Sequence, residues 1–367
     1  MRKILLSIIF AAIVFCGYSQ TAQRPDISGV TGAIIVENVQ KTYHVKQNGG
    51  NDASSGLTEE LAFKTITKAM LVAKADVKAG IPVKVLVYSG IYRETIGFVD
   101  FGAGIGKNTL FVFEGTSAND VIISGSDEFT GWKDEGNGIY SHSWTYDFGN
   151  NYQDWPSKQL GHRSEMVFVD NKPMRPRILE NYTMTGNKFD VFKSFSNPKD
   201  SLTSGTFGVA ERTENGNKIY VYPSAGTDMS VAKVDIAVRH EFIHFSAKEN
   251  LIIRNITLQH FANRFIFPWN SEQPLTYDGS SKNILIEGCN ILWNNGFGLN
   301  LGTTDGLTIR NCNLNYNGAS GFNTSGATNC IIENVNTNFN VWRNFYGGDT
   351  DWFAGGSKHH ESNRMIV

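Results

Sequence analysis

A nine-residue motif recurs in the C-terminal third of the chain. Its four complete copies align without gaps and begin at Asn250, Asn283, Gly306 and Asn329, so their starts are 33, 23 and 23 residues apart. A partial fifth copy, NRMIV, begins at Asn363. A fixed period of this length is typical of solenoids, in which one short repeat cannot bury its apolar side alone and must stack on its neighbours.

The pattern inside each copy predicts strands. The second and fourth positions are apolar, as at Leu251 and Ile253, and this alternation gives a strand one inward side. The sixth position is Asn or Gly, residues that tolerate the left-handed backbone of a tight bend. Several short strands within a period near 23 residues predict a parallel β-helix, because the LxxLxLxxNxL pattern of leucine-rich repeats is absent.

The cysteines fit inside such a coil. Cys289 and Cys312 occupy the same repeat position, so we expect them to stack as small buried hydrophobic side chains. The alternative is a disulfide between them, which the parallel direction of stacked side chains disfavours. With Cys330 the chain has no CxxC pair and no Cys/His spacing that suggests zinc.

The N-terminus predicts export. Arg2 and Lys3 precede an apolar run of about a dozen residues, and small residues stand three and one positions before a cut after Ser19. The run is shorter than the roughly 20 residues that span a membrane, and no later segment resembles a transmembrane helix. We therefore expect residues 1–19 to be a signal peptide and the protein to be secreted, periplasmic or in the cell envelope. A lipoprotein anchor at Cys16 is the minor alternative.

Composition excludes two broad classes. Aromatic residues make up 12% of the chain, which argues against global disorder. The formal net charge is −2, whereas a protein that binds nucleic acid by neutralising phosphates is normally basic. We therefore expect no nucleic-acid partner. We also expect the protein to be a monomer.

Three segments near the N-terminus resemble a known superfamily. YHVKQNGG, FKTITKA and VLVYSGIYRE resemble the opening of right-handed parallel β-helix proteins of the pectate-lyase-like superfamily. Apolar residues of 60–75, among them Phe63, Ile66 and Met70, lie at helical spacing. In that superfamily such a helix caps the open end of the coil and covers strand edges that would otherwise aggregate.

A long segment interrupts the coil pattern. Residues 127–235 are predicted to form β-hairpins with Gly and Asn turns, and VFVDNKPMRPR is similar to the β-rich insertion of some β-helix glycoside hydrolases. The predicted fold class is all-β: a right-handed parallel β-helix with an N-terminal capping helix and an inserted β-rich subdomain. The predicted domains are 1–19, the signal peptide; 20–126, the cap and first coils; 127–235, the insertion; and 236–367, the remaining coils.

The end of the chain stops within a repeat. NRMIV is the first half of a copy, and neither a polar cap nor a further coil follows it. Solenoids need a terminal cap to shield their last coil. We therefore expect the C-terminal end to be truncated, with further catalytic residues beyond Val367.

Two intervals between repeat starts are about ten residues longer than the period, namely the 33 residues after Asn250 and the 34 after Asn329. Each is expected to carry a loop on the outside of the helix, where binding and catalysis usually take place on a rigid scaffold. The two loops would flank one groove if both leave from the same corner. The residues expected to bind substrate are Arg264, Trp269, Arg343, Trp352, His359 and His360.

The second loop collects the densest set of titratable side chains. Two carboxylates flanking a sugar linkage act in glycosidases as acid and base or nucleophile, and Asp349 with Asp351 or Glu361 would supply the pair. In the alternative, Lys358 would be the base of a uronate lyase, with Ca²⁺ or a cationic side chain neutralising the carboxylate. DTDWFAGGSK is similar to the Asp-rich, Lys-containing site of one pectate lyase family. Its spacing departs from that site, and further aspartates for Ca²⁺ are absent.

The segment HEFIH has the formal spacing of a zinc protease motif. That motif requires a helix, whereas the surrounding residues alternate as in a strand. On a strand His240 and His244 would lie about 13 Å apart, too far to bind one zinc. No metal site is predicted.

The predicted function is hydrolysis of glycosidic bonds in a plant or algal polysaccharide by an exported carbohydrate-active β-helix protein. The resemblance of the insertion to β-helix hydrolases favours hydrolysis over elimination. The alternatives are a pectate-type polysaccharide lyase, with Ca²⁺ as its cofactor, and a non-catalytic glycan-binding or surface protein. The hydrolase requires no cofactor, and its partner is a polysaccharide or oligosaccharide substrate.

Overall fold

The computed structural model describes residues 28–146, 150–151, 162–177, 184–185, 188–189, 198–209, 218–263, 274–342 and 355–367. Within these ranges the dominant feature is a coil whose strands pair in parallel with the equivalent strands of the next coil. Each complete coil visits three faces in turn. The fold is therefore a parallel β-helix, which confirms the prediction.

The first face contains the strands that begin each sequence repeat. All of its pairs are parallel, and the pairing aligns equivalent repeat positions. In order along the helix axis its strands are Lys41–Val45, Val83–Val87, Phe111–Gly115, Glu249–Arg254, Ser281–Glu287, Thr304–Asn313, Ala327–Asn336 and Asn363–Ile366.

The second and third faces complete each coil. The second face consists of Gly90–Tyr92, Val121–Ser124, Thr257–Gln259 and Asn290–Leu292, and it continues into the C-terminal ends of Thr304–Asn313 and Ala327–Asn336. The third face consists of Gly97–Val99, Ile243–Ser246, Leu275–Asp278, Leu299–Leu301, Ser320–Ser325 and Gly355–His360.

The interior of the coil consists of columns of apolar side chains. Leu251 pairs with Ile284, which pairs with Leu307, and all three are fully buried. Each such side chain stabilises the fold by about 1.5–3 kcal/mol relative to exposure. Cys289 and Cys312 are buried and form no disulfide, which confirms the prediction of stacked thiols.

Recurrent Asn and Gly residues turn the chain at the corners. Asn255, Asn311 and Asn334 have φ between 51° and 57°, and Gly288 has φ of 60° at the equivalent position. The left-handed region costs most L-residues roughly 1–2 kcal/mol, and Asn and Gly least. The bends predicted at the sixth position are therefore confirmed.

A buried asparagine ladder connects successive coils. The Asn294 and Asn317 backbone N–H groups donate to the side-chain Oδ1 atoms of Asn317 and Asn340, at 3.2 and 2.8 Å. The Asn317 amide also donates to the carbonyl oxygen of Ile291 at 3.0 Å. Because Asn294, Asn317 and Ile291 are fully buried, each bond satisfies a polar group of theirs that would otherwise be unpaired.

Helix α1, Ile66–Lys78, covers one end of the coil. It buries Ile66, Met70 and Val77 among its apolar residues, as expected for a cap. The helix starts six residues later than the predicted residue 60, because Thr65 is the N-cap and its Oγ1 accepts from the Lys68 N–H at 3.1 Å. A second, short helix, α2, spans Ile105–Asn108.

The segment that follows the second-face strand ending at Ser124 forms mainly antiparallel sheets with a core of their own. The domain boundaries at residues 127 and 235 stay a prediction. One sheet consists of Ser126–Glu128, Val167–Val169, Lys172–Pro173 and Val234–Ala237, and a second consists of Lys133–Gly136, Ile139–Ser143, Arg175–Pro176, Thr206–Val209 and Lys218–Tyr222. Two further strand pairs are Asn150–Asn151 with His162–Arg163 and Met184–Thr185 with Lys188–Phe189. The segment also contains the 3₁₀ helix Pro198–Ser201.

Residues 28–40, the N-terminal strap, cross the outer side of the first face. The Ala33 N–H donates to Thr308 Oγ1 at 2.9 Å and the Ile34 N–H to Asn283 Oδ1 at 3.2 Å. The carboxylate of Glu37 accepts two hydrogen bonds from Arg254, at 2.8 and 2.9 Å. The strap is thus hydrogen-bonded to several coils. No periodic pattern in the sequence predicts it.

The asparagine ladder gives a stability prediction. Asn317→Ala leaves the Asn294 N–H and the Ile291 carbonyl buried without a partner, so we expect a loss of about 2–4 kcal/mol in the free energy of unfolding. Asn336→Ala is the matched control, because Asn336 donates to Asn313 at 2.9 Å in an exposed ladder. Its expected cost is within about 0.5 kcal/mol. Urea denaturation measures both, and equal losses would contradict a special role for the buried ladder.

Candidate functional site

Three long links leave the coil from one corner. The segment after Ser124 leaves at the end of a second-face strand and returns at the third-face strand Ile243–Ser246. Residues 264–273 and 343–354 also connect a second-face strand to a third-face strand. In the coils between them the link is short, as from Leu292 to Leu299. All three long links therefore fall between a second-face strand and a third-face strand in the chain.

The register of the third face defines an outer row. Phe245 and Leu299 are buried, so their positions on the third-face strands point into the coil. The residues that alternate with them on each strand point outward. Across the row, Asn323 donates from Nδ2 to Asn300 Oδ1 at 2.9 Å. The outer row of the third face comprises Phe98, His244, Asn300, Asn323 and Lys358, and the backbone of Thr276 is in register between His244 and Asn300.

Lys358 and His360 share the outer side of the third face. Lys358 is in register with Asn323, and His360 follows two residues later on the same strand. Glu361 is exposed at the next bend, with φ of 51°. Three of the residues predicted to take part in the site thus stand at one end of the outer row.

His359 points the other way. Its Nδ1 lies 2.8 Å from Oγ1 of Thr324, a fully buried residue, and its ring packs edge-on against Phe322 at 5.4 Å. Desolvation lowers the pKa of His359, which favours its neutral form. His359 therefore does not join Lys358 and His360 on the outer side, as expected for adjacent residues of a strand.

The remaining predicted site residues lie outside the described residues. They are Arg264, Trp269, Arg343, Asp349, Asp351 and Trp352, and their roles stay predictions.

An aromatic ladder lines the corner from which the links leave. The ring of Trp293 stacks on Tyr316 at 4.2 Å, and Tyr316 stacks on Phe339 at 5.0 Å. All three residues have positive φ, between 55° and 58°, although large side chains rarely adopt it. Trp293 and Trp342 also pack against the core of the inserted segment. Aromatic residues at one repeat position were visible in the sequence, but their backbone conformation was not.

The inserted segment is fixed to the coil beside this ladder. His260 occupies the equivalent position one coil earlier and stacks on Phe168 of the insertion at 3.7 Å. Arg93 donates from Nη2 to the buried carboxylate of Asp235 at 2.7 Å. Stacking and a desolvated ion pair hold the insertion against the corner, so it forms a fixed wall there.

His260 serves structure rather than proton transfer. Burial lowers its pKa to about 3, and the positive charges of Arg93 and Lys233 act in the same direction. The ring is therefore neutral near pH 7. A proton carrier needs a pKa near the working pH, so His260 does not suit that role.

HEFIH forms a bend followed by a strand, as the sequence indicated, and not a helix. His240 lies at the bend with Nδ1 2.8 Å from the carbonyl oxygen of Ala262, and His244 is in the strand Ile243–Ser246. Within the described ranges no group of three His, Cys, Asp or Glu residues is arranged to hold a metal ion. None of the helices in those ranges has the length and apolar character that crossing a membrane requires.

Comparison with known proteins supports the fold. No family model matches the chain, and no curated protein matches it. A solved structure of XylC with xylose superposes with a TM-score of 0.63 at 15% identity, covering 87% of this chain and 56% of that one. A structure described as a glycoside hydrolase superposes with a TM-score of 0.57 at 12% identity, covering 80% and 73%. The chain thus spans little more than half the length of XylC.

The buried histidine gives a pH prediction. His260 takes up a proton in the unfolded chain near pH 6.5 but resists it in the folded protein until about pH 3, so the free energy of unfolding should fall as the pH drops between those values. His260→Phe retains an aromatic ring and should flatten this dependence. Trp293→Phe, at the equivalent position, should keep the wild-type slope. Urea unfolding at a series of pH values compares the three, and an unchanged slope in His260→Phe would refute the assignment.

Proposed function

We propose that this protein is an exported carbohydrate-active enzyme that hydrolyses glycosidic bonds in a plant or algal polysaccharide. The observation that carries the proposal is the outer side of the third face, which bears Lys358 and His360 on a strand that directly follows one of the three long links in the chain. A groove with rigid walls and polar side chains along its floor suits an extended sugar chain. The two superposed structures, a xylose complex and a glycoside hydrolase by description, favour this class.

Two carboxylates would perform the chemistry. Asp349, with Asp351 or Glu361, would donate a proton to the leaving oxygen and act as base or nucleophile on the opposite side of the sugar ring. Glu361 is the one of these three carboxylates within the described residues, and it is exposed in the bend that follows the strand of His360. The distance between the two carboxylates would decide between retention and inversion.

The neighbouring side chains would bind substrate. Lys358 and His360 would donate hydrogen bonds to hydroxyl or carboxylate oxygens from the floor of the groove. Arg264, Trp269, Arg343 and Trp352 are proposed contacts from the two long loops. His359, which contacts Thr324 on the inner side, would orient the strand instead.

β-Elimination is the second candidate, favoured by the position of Lys358. A lysine on the outer side of the third face, near His360, could remove the proton beside a uronate carboxylate. This mechanism would employ Ca²⁺ to neutralise that carboxylate. A non-catalytic glycan-binding protein is the third candidate, and it would use the same floor without bond cleavage.

Export and a monomeric state are part of the proposal. Residues 1–19 have the order of charges and apolar residues of a signal peptide. Secretion would bring the protein to polymers that do not enter cells.

The carboxylate assignment predicts a loss of turnover. Asp349→Asn should lower kcat by about a thousandfold or more, and Asp351→Asn should do the same where Asp351 rather than Glu361 is its partner, because acid or base function is lost while the shape is kept. The melting temperature should stay unchanged. Asp120→Asn, at an exposed carboxylate away from the third face, is the control and should retain activity. Full activity in both loop variants would exclude them from catalysis.

Product analysis separates the candidate reactions. A panel of xylan, polygalacturonate and alginate should yield new reducing ends without an unsaturated uronate, and a chelator should leave the rate unchanged. An unsaturated uronate, with activity lost on chelation and restored by Ca²⁺, would replace hydrolysis by elimination. In that case Lys358→Met should abolish turnover. If the protein binds one of these glycans but forms no product, the third candidate, a non-catalytic glycan-binding protein, would replace both enzymes.

A further inference from the structure

An aromatic side chain at the far end of the outer row has no role in the core. Phe98 pairs in register with His244, and its neighbour Val99 pairs with Phe245. Val99 and Phe245 are buried, so Phe98 occupies the outer side, where 58% of its surface is exposed. Most large apolar side chains of the coil point inward, and the fold gains little from burying this one.

His244 holds the Phe98 ring in place. The two rings meet edge to face, with centroids 5.2 Å apart and planes at 84°. This geometry is favoured between aromatic rings because the positive edge of one meets the negative face of the other. The ring of Phe98 is therefore held in a defined orientation, and it still exposes most of its area to solvent.

The outer row continues from this ring to the proposed catalytic end. Five strand spacings separate Phe98 from Lys358, a span of roughly 24 Å at about 4.8 Å per spacing. Between them, the amides of Asn300 and Asn323 pair with each other along the row, with Asn323 Nδ2 donating to Asn300 Oδ1 at 2.9 Å. The row thus has an apolar platform at one end and polar and charged groups at the other.

We propose that Phe98 is a distal subsite on which one sugar ring of a long glycan chain stacks, several units from the bond that is cut. This inference rests on the proposed function, because it takes the outer row as the path of the substrate. A pyranose ring has an apolar C–H face that covers an aromatic ring, and a rim of hydroxyl groups that suits the polar and charged end of the row. The substrate is accordingly a polymer that spans the third face, rather than a short oligosaccharide held at the catalytic end.

Affinity electrophoresis of the full chain in gels that contain xylan, polygalacturonate or alginate tests this proposal. Phe98→Ala should bind the retarding polymer about fivefold more weakly than the wild type, whereas Phe98→Trp should bind at least as well. Val231→Ala, at another exposed apolar residue, is the control for non-specific binding through apolar surface and should match the wild type. Circular dichroism should show the same melting temperature for all four proteins.

Chain length provides a second measurement. On the polymer that is cleaved, Phe98→Ala should raise KM at unchanged kcat, and on the matching trisaccharide both constants should equal those of the wild type, because a trisaccharide cannot reach Phe98 from the catalytic end.

The outcomes distinguish the two proposals. Retardation of wild type and Phe98→Ala alike would overturn the distal subsite and leave the proposed function intact. An equal loss in Val231→Ala would overturn it as well, because the effect would then be unspecific. If no polymer retards the wild type and none is cleaved, the proposed function fails and the subsite with it.

Discussion

The structure depends on in-register stacking of coils, since each coil forms the strand hydrogen bonds of the next and buries its apolar side chains. Parallel pairing places equivalent repeat positions about 4.8 Å apart, so one residue choice becomes a column along the axis. Inside, the columns are apolar. At a bend they are asparagines, and on the outer side of the first face Glu114, Arg254, Glu287, Arg310 and Glu333 form a ladder of alternating charge.

Stacking also determines where the chain can vary. A long link within a strand would break its hydrogen bonds to two neighbouring coils, whereas a link at a corner leaves every strand pair intact. The corner between the second and third faces accepts the insertion and both long loops. The Phe168–His260 stack and the Arg93–Asp235 ion pair then fix the insertion to the coil, so that its position does not depend on the links alone.

The repeat period predicted the parallel coil, its bends and the stacked cysteines, because each follows from residues at fixed spacing. The N-terminal strap was not predictable, since Glu37 finds Arg254 far away in sequence and no periodicity marks residues 28–40. Alternation predicted that His359 and His360 face opposite ways, but only the packing of Thr324 shows which one faces inward. Phe98 lies outside the aligned repeats, so no sequence pattern places it in the row of Lys358.

The N-terminal strap covers the outer side of the first face. The outer side of the first face carries apolar Val112, Ile252 and Leu285, and residues of the strap pack over them. Hydrogen bonds to Glu37 from Arg254 and Lys84 lower the pKa of its carboxyl, so the strap keeps its charge pairing at neutral pH. A sugar chain would have to displace these contacts to bind there. The proposed function therefore assigns substrate to the third face, whose outer row bears Lys358 at one end and the exposed ring of Phe98 at the other.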